Sequence, residues 1–139
     1  MALIHESKRI IYFVDEWKPK FNEAALLSDP EMLKEVTAIN QQIISLAPVL
    51  NSPTIQGQAT VSLDKKDVPI AIMMKQYNNE KYLFAVSMRN NECMATFTIK
   101  GVKDRKEVEV IGENQTVSSI NGIFKDEFKP YDVHLYKIK

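Results

Sequence analysis

The sequence predicts a mainly β protein: an antiparallel β-sandwich of about seven or eight strands, preceded by a helical N-terminal segment. Three observations predict it. From Gln58 onward, apolar residues alternate with polar ones at a period of two. Turn signals punctuate this part at intervals of about 8–12 residues, as in a sandwich or barrel. Before Pro53, one segment instead carries apolar residues at helical spacing.

The helix has a readable start. In Ser28-Asp29-Pro30-Glu31, Asp29 can accept backbone N–H bonds as the N-cap, and Pro30 loses nothing at the first helical position. Glu31 suits the positive end of the helix dipole. Leu33, Val36, Ile39, Ile43 and Leu46 repeat along one face. Pro48 is expected to end the helix, which places it over Asp29–Leu46. One amphipathic helix cannot bury its own stripe, so this face must cover an outer side of the sandwich or meet a partner. Upstream, Ile10-Ile11-Tyr12-Phe13-Val14 reads either as a strand or as the start of a helix running through Trp17 to Pro19. Short apolar runs do not separate the two.

The strands follow in order. Ala59, Val61 and Leu63 alternate, and Ile70 to Gln76 is a more continuous apolar run. Asn78-Asn79 marks a tight hairpin. Tyr82, Phe84, Val86 and Met88 share one face of the next strand. After a turn at Asn90-Asn91, Ala95, Phe97 and Ile99 share a face of the one that follows. Phe84 and Phe97 are both expected inside, on adjacent strands. Val108 and Val110 face in, Glu107 and Glu109 face out, and Asp132 to Ile138 closes the chain after turns at Gly112 and Asn121-Gly122. The natural division is a helical lead-in over residues 1–53 and a β domain over 54–139.

Composition narrows the function classes. Lys plus Arg number 18 and Asp plus Glu number 18, a formal net charge of zero, which lacks the basic excess of a nucleic-acid binder. The single cysteine, Cys93, allows neither an internal disulfide nor a multi-cysteine zinc site. It reads as a small, half-buried strand residue. His5 and His134 are too far apart in sequence to suggest a metal-ligand pattern, and no cofactor motif is present. No apolar run approaches the roughly 20 residues that cross a bilayer. Polar residues occupy the start, where a signal peptide needs an apolar stretch. That leaves a cytoplasmic protein or a segment of a longer chain.

Candidate chemistry is sparse. Glycosidic hydrolysis needs two facing carboxyl groups roughly 5–10 Å apart. Asp126 and Glu127 are neighbours and should point to opposite sides of a strand. Glu107 and Glu109 share a solvent face. His134 lies between Val133 and Leu135, points away from their face, and suits a hydrogen bond to backbone at a sheet edge or at the helix. Among the aromatics, Trp17, Tyr77 and Tyr131 lie beside turns, where an exposed ring can stack on a sugar.

The closing segment, Asn121-Gly122-Ile123-Phe124-Lys125-Asp126-Glu127-Phe128-Lys129-Pro130-Tyr131-Asp132-Val133-His134-Leu135-Tyr136, resembles the end of the C-terminal β-sandwich domain of barrel-type glycoside hydrolases. Tyr82-Leu83-Phe84-Ala85-Val86-Ser87-Met88 is similar to that family's central strand, with Ser87 where many relatives have Asn. Glu35 to Leu50 looks like the helix and linker between barrel and sandwich. The resemblance spans Glu31 to Lys139. It implies a non-catalytic accessory domain that packs on a catalytic barrel and stabilises it; the compartment stays open, a secreted or periplasmic parent enzyme being one reading. It brings no catalytic residue, because this chain has no room for a barrel of about 250 residues. The alternative is a carbohydrate-binding module that holds a polysaccharide through Trp17, Tyr77 and Tyr131. The expected partner is a catalytic barrel or a second copy of the chain, met through Leu33, Val36, Ile39 and Ile43. Neither a nucleic acid nor a membrane is expected.

Overall fold

A computed structural model describes residues 2–7 and 9–139. Eight antiparallel strands form one nearly closed sheet: β1 (Ala59–Leu63), β2 (Ile70–Tyr77), β3 (Glu80–Ser87), β4 (Cys93–Ile99), β5 (Arg105–Val110), β6 (Gln115–Ile120), β7 (Ile123–Phe128) and β8 (Val133–Ile138). Their order across the sheet is β1-β4-β7-β6-β5-β8-β3-β2. The end strands β1 and β2 approach each other, so the two layers of the expected sandwich are one continuous wrapped sheet. β5, β6 and β7 form a meander with β4 returning beside β7, a Greek-key arrangement.

Local chemistry explains the hairpins. Asn78 and Asn79 both have positive φ, 50° and 63°, as do Asn121 and Gly122, 51° and 79°. This is the conformation two-residue hairpins require, and Asn and Gly reach it most easily. At Gly122 a Cβ would lie 2.2 Å from the backbone oxygen of Ile99, so only glycine fits. The turn at Asn90-Asn91 behaves differently. It joins β3 to β4, which are not neighbours in the sheet; the adjacency expected for Phe84 and Phe97 is therefore wrong.

The interior is filled by inward residues of every strand. Phe97, Phe124, Phe128 and Tyr136 form one aromatic group, with ring centroids of Phe97 at 5.1, 6.0 and 5.4 Å from the other three. Leu83, Ala95, Val108, Val110 and Ile138 pack around it. Cys93 belongs to this interior, fully buried rather than half-buried, and burial pushes its thiol pKa up.

A second cluster lies outside the sheet. α1 (Pro30–Leu50) covers the outer face of β2, β3 and β8, where Leu46 and Val49 meet Met73, Tyr82, Phe84 and Val86. Phe84 and Phe97 thus lie on opposite sides of the sheet. β3 is apolar on both faces because both are covered. Asp29 caps α1 as expected, its carboxylate accepting from the Met32 N–H at 2.9 Å. Pro48 does not end the helix, which runs on to Leu50. Burial of Val49 and half-burial of Leu50 outweigh the lost bond, and Ile44, whose carbonyl Pro48 cannot satisfy, is on the exposed side.

Residues 10–14 are neither strand nor helix. They run antiparallel along α1. Ile10 lies by Ile39 and Ile43, and the Tyr12 hydroxyl donates to Asn40 Oδ1 at 3.1 Å. Phe13 and Val14 line a groove with Met32 and Val36. A paired bridge between Glu16 and Asn22 then closes the loop that carries Trp17 and Phe21. The stripe of α1 is only partly covered as a result: Leu33, Val36 and Ile43 are half-buried and Ile39 is 49% exposed.

Candidate functional site

The barrel interior offers no room for a substrate, because its inward side chains are packed against one another. A polar concavity lies at one end of the sheet. It is an open hollow of about 420 Å³ lined by Glu113, Gln115, Asp126, Glu127, Lys129, Asp132 and His134. β7 supplies Asp126 on its inner side and Glu127 on its outer side, as alternation dictates. β8 supplies His134 two residues before the buried Tyr136. Glu113 sits in the β5–β6 turn.

The hollow is tied up by its own bonds. His134 Nδ1 lies 2.6 Å from Glu113 Oε1. A carboxylate accepts only from N–H, so the proton sits on Nδ1. His134 Nε2 is buried without a hydrogen-bond partner among the described residues and lies 3.7 Å from Asp132 Oδ2. The ring stands edge-on to Phe128 at 4.5 Å. The partner of His134 is therefore a side-chain carboxylate, not the backbone or helix contact the sequence suggested.

Asp126 Oδ2 accepts from the Tyr136 hydroxyl at 2.8 Å, and Asp132 Oδ2 from the Lys129 N–H at 2.8 Å. Burial, then the Asp126 charge, raises the Tyr136 phenol far above its ordinary pKa, so it stays a neutral donor. Three of the four carboxylates are thus engaged in holding β7, β8 and the β5–β6 turn together. Among the described residues no group of His, Cys, Asp and Glu could hold a metal ion. The arrangement is a clip. Its signal in the sequence was the spacing of Asp126 and Tyr136 on neighbouring inward positions, legible only once β7 and β8 are known to share one interior.

Of the exposed aromatics, the three that the sequence singled out, Trp17, Tyr77 and Tyr131, are scattered. Tyr77 ends β2 at the β2–β3 hairpin, whereas the Tyr131 N–H bonds to Arg89 O beyond the far end of β3. A strand of eight residues separates them, roughly 26 Å at the usual rise. Trp17 lies in the N-terminal loop against Phe21, ring centroids 5.1 Å apart. No single face gathers the three into a row.

The fold recurs in known enzymes. An α-amylase from Geobacillus thermoleovorans complexed with acarbose matches with a TM-score of 0.57 and 17% identity, over 80% of this chain and 23% of its own. AmyP in complex with maltose matches at 0.55 and 15%, over 77% and 21%. An Anoxybacillus α-amylase matches at 0.54 and 17%, over 79% and 23%. The chain shares its fold with a small part of these enzymes and spans less than a quarter of their length. No family model and no curated protein matches the sequence.

Proposed function

We propose that this chain is a non-catalytic accessory domain of an amylase-type glycoside hydrolase, equivalent to the β-domain that follows a catalytic barrel, and that it stabilises such a barrel by packing on it. The observation that carries the reading is the coverage: most of this chain aligns with less than a quarter of each α-amylase, and the rest of those chains has no counterpart here. The filled interior and the engaged carboxylates support it, since neither leaves a facing carboxyl pair across a sugar site. The polysaccharide-binding alternative draws less support, because Trp17, Tyr77 and Tyr131 do not line one face.

The test is hydrolysis of soluble starch and a panel of chromogenic glycosides by the purified chain. The expected result is no release above the blank. Release that disappears with Asp126→Asn or Glu127→Gln would contradict the reading. An amylase catalytic domain lacking its own β-domain should gain thermal stability when this chain is added.

A further inference from the structure

The N-terminal layer exposes apolar side chains that the sheet's interior does not use, and they border a groove. Phe13 and Met32 wall a groove of about 500 Å³ between residues 12–16 and the start of α1. Beside it the loop Trp17-Lys18-Pro19-Lys20-Phe21 forms a projecting knob, with Trp17 and Phe21 in ring contact. Phe13 is 92% exposed and Trp17 75%. The charges match as well. Asp15, Glu16 and Asp29 are among the residues that line the groove, the Asp29 carboxylate also capping α1, and the knob carries Lys18 and Lys20. The ion pairs found among the described residues involve none of these five.

We infer that this layer is a two-fold interface with a second copy of this chain, in which the Trp17–Phe21 knob of each copy enters the acidic groove of the other. A knob and its complementary groove on one patch satisfy the condition for an isologous dimer, in which each contact occurs twice. The area fits too. Phe13, Trp17, Phe21 and Met32 are all more than half exposed; at roughly 150–250 Å² per large side chain they present on the order of 550 Å², the larger part of the ~800 Å² per partner in a standard interface. The knob's lysines and the groove's carboxylates fix the register. Residues 10–14 lie over part of the α1 stripe and bring Phe13 to the surface, so the proposed contact is centred on Phe13 and the Trp17–Phe21 loop, beside Leu33, Val36, Ile39 and Ile43.

The test is sedimentation equilibrium of the full chain at about 50 µM, well inside the micromolar-to-picomolar range of interfaces this size. The expected mass is twice 15.9 kDa. Lys18→Glu/Lys20→Glu and, separately, Asp15→Lys/Glu16→Lys should each weaken association at least about tenfold at low salt. An equimolar mixture of the two reversed chains should restore it, because each knob again meets an opposite groove. Phe13→Ser/Trp17→Ser should abolish the dimer while the far-ultraviolet circular dichroism stays unchanged. A monomeric parent chain overturns the inference, as does a mixture of reversed chains that stays monomeric or a Phe13→Ser/Trp17→Ser chain that stays dimeric. A monomeric parent chain that stabilises a catalytic domain leaves the accessory reading standing and names that catalytic barrel, not a second copy, as occupant. Starch hydrolysis by a dimeric chain would do the reverse.

Discussion

The barrel and the N-terminal layer are built from the same kinds of residue and end in opposite states. In the barrel, Phe97, Phe128 and Tyr136 are wholly buried, each against aromatic neighbours from other strands of the same chain. In the layer, Ile11, Phe13 and Trp17 are mostly exposed, although their run is as β-branched and aromatic as any strand. Apolar composition shows that a surface seeks burial; topology decides whether the chain itself supplies the cover. A strand finds neighbours on both sides, whereas residues 12–16 line one side of α1 and the loop of residues 17–21 extends beyond them. One region is therefore covered within the chain, and the other leaves large apolar side chains in solvent.

Removing one aromatic from each region sharpens this contrast most. Phe97→Ala opens a cavity at the centre of the aromatic group and should cost about 3–5 kcal/mol in chemical denaturation. Phe84→Ala, beneath α1, should cost a similar amount but with a different signature: loss of helical ellipticity ahead of the sheet. By contrast, at a protein concentration low enough to keep the chain monomeric, Phe13→Ala should move stability by less than about 0.5 kcal/mol. A large loss there would show that the layer is covered after all.

Gly122→Ala tests the barrel's closure at a turn. The positive φ and the 2.2 Å approach to the Ile99 carbonyl should together cost about 2–3 kcal/mol, measured by thermal unfolding. Asn79→Gly, which keeps the left-handed conformation available, should cost little.

The clip gives a smaller and pH-dependent effect. Tyr136→Phe leaves Asp126 without its buried donor and should cost about 1–3 kcal/mol. The sign follows from the raised phenol pKa. The folded state holds the proton more tightly than the unfolded chain does, so this contribution is fully present below the ordinary tyrosine value, near 10, and is lost as pH rises above it. The parent should lose stability between neutral and strongly alkaline pH by more than the Tyr136→Phe variant does.

Much of the barrel was legible in the sequence because its signals are local. Period-two alternation located the strands, Asn78-Asn79 and Asn121-Gly122 located two hairpins, and Asp29-Pro30 located the start of α1. What failed was non-local. The pairing of β4 with β7 leaves no mark on either strand, so the turn at Asn90-Asn91 looked like a hairpin. Tyr82 to Val86 is apolar on both faces, and periodicity cannot say which face meets the interior and which meets the helix. The continuous run itself was the clue that two apolar covers were needed. Pro48 misled because a local backbone cost was weighed without the burial of Val49. For the clip, the place of His134 on β8 was legible, but Glu113 lies in a distant turn that only the folded sheet brings to it. Residues 10–14 kept two readings, and neither holds, because no sheet edge is offered to them.

The division between a covered barrel and an exposed layer is tested most directly by hydrogen exchange of the full chain at two protein concentrations. At low concentration, amides of β3, β4 and β8 should exchange only through global unfolding, while amides of residues 10–21 should exchange faster by several orders of magnitude. At high concentration, protection should rise in residues 10–32 and stay constant in the barrel. Equal protection in the two regions at low concentration, or a concentration effect confined to the strands, would contradict the account.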